Sequence, residues 1–296
     1  VSGLLHGNEP SGLRAIFHAL RSGEKFATHV LFLIGAVEAA RTAPRFSHRM
    51  LPGRRDLNRC FRAPFDADEG RVAEQMLELA NVRPLEAVVD LHNNSGHNPC
   101  YGVGVTADAS HLGLTSIFTD RYVCSSFGIG ALMEAFPPRV PVVTIECGRA
   151  GDRRADETAT AGLMSFLRMD KLPTLEPGDP RMKVLRDPVR VRVRAGVDLH
   201  FGDHRESDAD FTMDEDVDRH NFQRLEAGTR VGWVRPGAPW PVEVKTPDGG
   251  EISREIFALA DNELRLKSPC VPIMLTTNAT IARDDCLFYA VIERGT

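Results

Sequence analysis

Long apolar runs are missing from this chain of 296 residues. No stretch approaches the ~20 residues that a membrane-spanning helix needs, so no membrane partner is expected. Basic blocks are missing too. Lys and Arg total 36 against 41 Asp and Glu, a net charge of −5, which argues against nucleic acid as a main partner. The six cysteines form no CxxC pair. A chain of this length builds a core without disulfide staples, so the cysteines read as reduced thiols in a cytoplasmic protein. "GVGVTADAS" lacks the full glycine fingerprint of a dinucleotide site and shows no clear helix opening after it. No repeats or low-complexity tracts stand out. Nor does a Met open the chain. Val1 falls inside an expected strand, so further sequence is expected before it, and a targeting segment there stays open.

What is present reads as ordinary globular protein, with 42% hydrophobic and 26% charged residues, enough for one large domain or two smaller ones. The first part alternates strand and helix signals. "VSGLL", "HVLFLIGAV", "LEAVVDL" and "VPVVTIE" read as strands, the last three as buried ones. Between them lie helical patterns. Leu13, Ile16, Phe17 and Leu20 mark one face of the first, which Gly23 stops. Val72, Met76, Leu77 and Ala80 mark a face of the second, and "DETATAGLMSFLRM" closes this part as a third. Alternation of this kind predicts an α/β sheet flanked by helices. "KLPTLEPGDP" at 171–180 carries three prolines and reads as a linker. Beyond it the helical period fades into short β-type runs such as "VRVRV" and "LFYAVIE", and "TPDGGE" is a hairpin signal. The expected domains are an α/β catalytic domain over 1–175 and a smaller, mostly β domain over 180–296.

The ends of the predicted strands carry the chemistry. "VSGLL" runs into His6, with Glu9 in the following turn and Pro10 suited to a first helical position. "LEAVVDL" runs into His92 and "VPVVTI" into Glu146. Ligands of open α/β sheets bind at the carboxyl ends of strands. Two imidazoles and one carboxylate make a catalytic zinc set with a fourth position left for water. A second Glu is then free to act as general base. Asp90 is placed to hold a metal ligand in position.

Four motifs in order, "HGNE", "DLNR", "DLH" and "TIECG", resemble the succinylglutamate desuccinylase/aspartoacylase family, part of the wider zinc carboxypeptidase group. The resemblance covers most of residues 1–170. It implies a zinc carboxypeptidase-like mixed sheet flanked by helices. It implies His6, Glu9 and His92 as zinc ligands and Glu146 as the catalytic carboxylate. It also implies Asn58 and Arg59 as the grip on a substrate carboxylate, in keeping with the planar fork of an arginine. The family carries a further Arg before "DLNR" that polarises the scissile carbonyl. Here Arg49, Arg54 and Arg55 compete for that role across Pro52 and Gly53, and Arg49 is preferred.

The expected activity is zinc-dependent hydrolysis of a small-molecule N-acyl amino acid, with water activated by zinc and Glu146. The alternatives are a carboxypeptidase acting on short peptides and a metal-bound ligand-binding protein without turnover. An intact Glu146 weighs against the pure binder. His97 reads as a loop residue and not a fourth ligand. His200, His204 and His220 read as solvated surface, Cys147 as a small buried residue, and Tyr289 as core. A homo-oligomer is compatible with the sequence, and neither the acyl group nor the amino acid is legible in it.

Overall fold

The computed structural model describes residues 1–293. Two compact units result, one of Val1–Asn94 with Cys100–Leu185 and one of Ser95–Pro99 with Arg186–Thr296. Among the described residues no helix is long and apolar enough to cross a membrane.

The first unit is built on a seven-stranded sheet. Its elements in chain order are β1 (Ser2–Gly3), α1 (Ser11–Arg21), β2 (Leu33–Ile34), α2 (Val37–Arg41), α3 (Ala67–Ala80), β3 (Val88–Asn94), β4 (Tyr101–Gly104), α4 (Ala109–Ser116), β5 (Arg121–Cys124), β6 (Val142–Arg149), α5 (Arg153–Leu167) and β7 (Lys183–Arg186). The strand order is β2-β1-β3-β6-β4-β5-β7. β4 runs antiparallel to β6, while the pairs β1/β2, β1/β3, β3/β6 and β4/β5 are parallel. This is the mixed, helix-flanked α/β sheet that the sequence predicts.

The two central strands, β3 and β6, explain the layering. Side chains alternate across a strand. Val89 and Leu91 with Val143 and Ile145 join the core that includes Ala15, Ile16, Ala159 and Leu163 of α1 and α5. Val88 and Val142 join the opposite core, with Ala73 and Met76 of α3. Helices on both faces leave these strands no solvated side, which is why they read as continuous apolar runs. "HVLFLIGAV" departs from expectation. Only Leu33 and Ile34 pair as a strand, and both are half-buried, because β2 is the sheet edge and has one neighbour. The helix after "GVGVTADAS" is a second departure. α4 does open there, its first amides capped by the Asp108 carboxylate, which accepts from the backbone N–H of Ser110 and His111.

The second unit adds β8 (Val189–Val193), β9 (Leu199–Phe201), β10 (Phe211–Met213), β11 (Arg230–Val234), β12 (Val242–Lys245), α6 (Ser253–Ile256), β13 (Phe257–Ala260), β14 (Glu263–Leu266), β15 (Cys270–Ile273), α7 (Ala279–Asp284) and β16 (Phe288–Ile292). They form a five-stranded sheet, β13-β14-β11-β10-β9, and a four-stranded one, β12-β8-β16-β15. Val191, Val244, Phe211 and Leu264, drawn from both sheets, share one core. "TPDGGE" makes its turn, Thr246 N–H donating to Gly250 O, but the return leg is one bridge, Lys245 to Glu251, before α6 begins.

Candidate metal centre and active site

β1 ends at Gly3, and the chain then turns through Leu4, whose φ of 57° is left-handed. A non-glycine residue pays a steric penalty there, held in place by surroundings that bury Leu4 almost completely. The turn delivers His6. Glu9 N–H then donates to His6 O, so a spacing of three folds the Glu9 side chain back beside the His6 ring. Gly7 is required between them. A Cβ there would lie 2.6 Å from His48 O and 2.7 Å from Ala40 N. That close approach lets Gly7 N–H donate to Arg49 O, tying the Arg49 segment to the turn. Pro10 takes the cap position and α1 begins one residue later, at Ser11.

His92 and Glu146 arrive by register. They are direct partners across β3 and β6, on the face that Val88 and Val142 also use. Both are buried, as are His6 and Glu9. Nδ1 of His6 lies 2.8 Å from one Glu9 oxygen, and Nδ1 of His92 lies 2.7 Å from the other. The outer nitrogens face carboxylates as well: His6 Nε2 is 3.0 Å from Asp56 Oδ1, and His92 Nε2 is 2.7 Å from Asp90 Oδ2. Ser2 Oγ donates to the other oxygen of Asp90.

This donor set fits a cation. An ionised carboxylate only accepts, so Asp56 and Asp90 fix the proton of each neutral imidazole on Nε2. Each Nδ1 then faces a Glu9 oxygen, and two such atoms at this distance need a proton or a metal ion between them. His6, Glu9 and His92 offer ligand atoms all within 4.8 Å of one another, the metal-capable group among the described residues. Charge balance points the same way. Burial and Arg49 oppose the charged form of His6, yet Glu9 and Asp56 outweigh them and raise its pKa. Burial likewise opposes His92, and Asp90 and Glu9 hold it well above its usual value. Burial resists ionisation of Glu9 and Asp56 too; His6 and His92 overcome it at Glu9, and His6 with Arg49 at Asp56.

Glu146 stands apart from that group. Burial, with Glu9 adding repulsion and the two imidazoles opposing, pushes its carboxyl up to about 8. Asn94 Nδ2 donates to Glu146 Oε2 at 3.0 Å, and Tyr101 OH donates to Asn94 Oδ1 at 3.1 Å. All three are buried.

The "DLNR" segment is a single turn of 3-10 helix, Leu57–Arg59, capped by Asp56, whose Oδ1 accepts from Asn58 N–H. Asn58 is buried with its Oδ1 taken by Leu132 N–H, so its amide nitrogen is the end that can donate elsewhere. Arg59 NH1 donates to Asn58 O and lies 3.9 Å from Asp56 Oδ2. Arg49 donates to the same Asp56 oxygen through Nε and NH2, and its NH1 is 3.6 Å from Glu9 Oε1. Arg54 and Arg55 pair instead with Asp68 and Asp66 on the surface. Of the three candidate arginines, Arg49 is therefore the one beside the histidines.

Sequence reading left two partners without a role. Asp56 sits inside a quoted motif, but its contact with His6 spans 50 residues and leaves no local signal. Asn94 could have been found, since it shares the strand parity of His92. His97 pairs with Asp218 and is half exposed, outside the metal-capable group. His204 is not simply solvated, as its ring stacks on Trp233 at 4.0 Å. Cys147 is buried, and burial holds its thiol well above the usual range.

Residues 1–164 match the model of the succinylglutamate desuccinylase/aspartoacylase catalytic domain. The chain belongs to that family. Solved structures of similar fold include murine aminoacylase 3, at 16% identity and a TM-score of 0.55, covering 99% of this chain and 94% of that one. A succinylglutamate desuccinylase from a Silicibacter species aligns at 17% identity and a TM-score of 0.59, over 99% of this chain and 84% of that one. A product-bound ectoine utilization protein from Ruegeria pomeroyi aligns at 16% identity and 0.57, over 99% and 83%. At such identities these likenesses speak for the fold alone. Comparison with curated proteins returns no match.

Proposed function

We propose that this family member is a zinc-dependent amidohydrolase that removes the acyl group from an N-acyl amino acid. The observation that carries the reading is the pair of Nδ1 atoms converging on Glu9 while Asp56 and Asp90 hold the outer nitrogens. Two imidazoles and a carboxylate suit zinc and leave a position for water. When bound by His6, Glu9 and His92, zinc supplies Lewis acidity that brings the pKa of water toward neutrality and draws charge from a carbonyl oxygen.

The chain's own residues do the rest. Asn58 and Arg59 grip the carboxylate of the amino acid and fix where the amide lies. Arg49, held by Asp56, offers guanidinium protons to the carbonyl oxygen as negative charge builds on it. Glu146 takes the proton of the attacking water and passes it to the departing nitrogen. Asn94 keeps the Glu146 carboxylate aimed. The products are a carboxylic acid and a free amino acid. The test is a screen of zinc-loaded protein against N-succinyl, N-acetyl, N-formyl and longer N-acyl amino acids, with short peptides alongside. Turnover of N-acyl amino acids above that of peptides is expected. Peptide turnover alone would make the protein a carboxypeptidase, and none at all would make it a binder.

A further inference from the structure

Two openings lie near the "DLNR" turn in the first unit, and they differ in character. One, of about 560 Å³, is lined by Arg55, Arg59, Arg62, Ala63, Pro64 and Asp66. It is cationic, and it contains the arginine read as the grip on the substrate carboxylate. The other, of about 290 Å³, has Arg49 in its wall and an apolar lining that includes Leu5, Ala39, Leu51, Leu57 and Val72. Charged side chains line it as well, Glu38, Arg54, Arg55, Asp68 and Glu69, and the arginines among them are engaged: Arg54 with Asp68 and Glu69, Arg55 with Asp66. The opening reaches the metal site through Arg49, whose NH1 is 3.6 Å from Glu9 Oε1. It falls at the small end of the range for ligand pockets.

The occupant follows from the direction of the substrate. Arg59 and Arg49 both lean on Asp56 Oδ2, yet they line different openings. An N-acyl amino acid with its carboxylate on Arg59 and its carbonyl oxygen on Arg49 sends its acyl chain past Arg49. We infer that the cavity walled by Arg49, Leu51 and Val72 is the acyl pocket, and that it selects acyl groups that are apolar chains of several carbons. This inference rests on the hydrolase reading above and names its substrate class. At about 290 Å³ the opening has room for a chain of several carbons. A charged succinyl end would meet aliphatic side chains there and arginines already paired with carboxylates of the protein.

Two measurements test it together. The first is kcat/KM across N-acetyl, N-butyryl and N-hexanoyl derivatives of one amino acid. The second is calorimetric binding of hexanoate, which needs no turnover. Each methylene should raise kcat/KM about fourfold up to the length that fills the cavity. Leu51→Trp should lower kcat/KM for the hexanoyl substrate at least tenfold more than for the acetyl substrate, and abolish hexanoate binding. Val72→Trp, on a half-exposed position of the mouth, repeats the test should Leu51→Trp fail to fold. Acetyl as the best acyl group, equal losses for both substrates in a folded variant, or hexanoate binding untouched by either Trp would each overturn the pocket while leaving the hydrolase reading intact. Hexanoate binding that Leu51→Trp removes, in a protein that hydrolyses none of the series, would keep the pocket and overturn the hydrolase.

Discussion

Acid–base contacts occur in both units of the molecule, and the set around His6 and His92 in the first stands under conditions opposite to those of the exposed pairs in the second. In the first unit His6, Glu9, Asp90 and His92 are all buried, and their contacts run between 2.7 and 3.0 Å. In the second unit Arg224 meets Glu293 at 2.8 Å with both side chains nearly half exposed. Distances alone do not separate the two sets. Solvent does. An exposed pair exchanges water for a partner at little net gain. A buried group of two acids and two imidazoles is expensive unless something else balances it, and folds keep such groups where function requires them.

The comparison can be broken at several depths. Glu146→Gln keeps size and hydrogen bonding but cannot accept a proton. It should retain zinc and lose about 10²–10⁴-fold in kcat against the best N-acyl substrate. Zinc lost from that variant would make Glu146 a ligand, and turnover within a few-fold of wild type would make it a bystander. Arg59→Lys comes next, keeping the charge but not the fork. Transition-state binding should weaken by roughly 1.5–3 kcal/mol, read as a fall in kcat/KM. If every substrate is hydrolysed at the wild-type rate, the carboxylate grip lies elsewhere. Asn94→Leu removes the donor to Glu146. We expect kcat to fall about tenfold with KM and zinc content little changed, as for one hydrogen bond to a charged group. A change in KM alone would place Asn94 on the substrate side. Arg224→Ala, in the exposed set, should leave zinc content, turnover and the unfolding midpoint at wild-type values. A clear drop in the midpoint would erase the contrast between the two sets.

Much of this arrangement is legible in the residues because burial and periodicity leave marks. β3 and β6 are buried on both faces, so "LEAVVDL" and "VPVVTIE" stand out, and the residues ending those runs inherit a direction from the strand. The strands that sequence reading missed, β4, β5 and β7, are four residues each and carry Gly or Arg, too short and too mixed for a period to show. "HVLFLIGAV" misled in the opposite sense. It looks buried throughout, but an edge strand has one neighbour, and only two of its residues pair. At the site, His6 and Glu9 declare themselves through local spacing. Asp56 does not, since its bond to His6 exists only after the chain has closed a loop of 50 residues. Arg49 was one of three candidates in sequence, and separating it from Arg54 and Arg55 took their partners in space: Asp56 and Glu9 for one, surface carboxylates for the others.

The central claim is that His6, Glu9 and His92 form a cation site, and zinc content read by elemental analysis after exhaustive dialysis tests it most directly. Wild-type protein should hold one zinc per chain. His92→Ala should fold, with an unchanged circular dichroism spectrum, and lose most of the metal, because removing one imidazole takes away a third of the ligand set and the partner of Asp90. Equal zinc in wild type and His92→Ala, or none in either, would contradict the account.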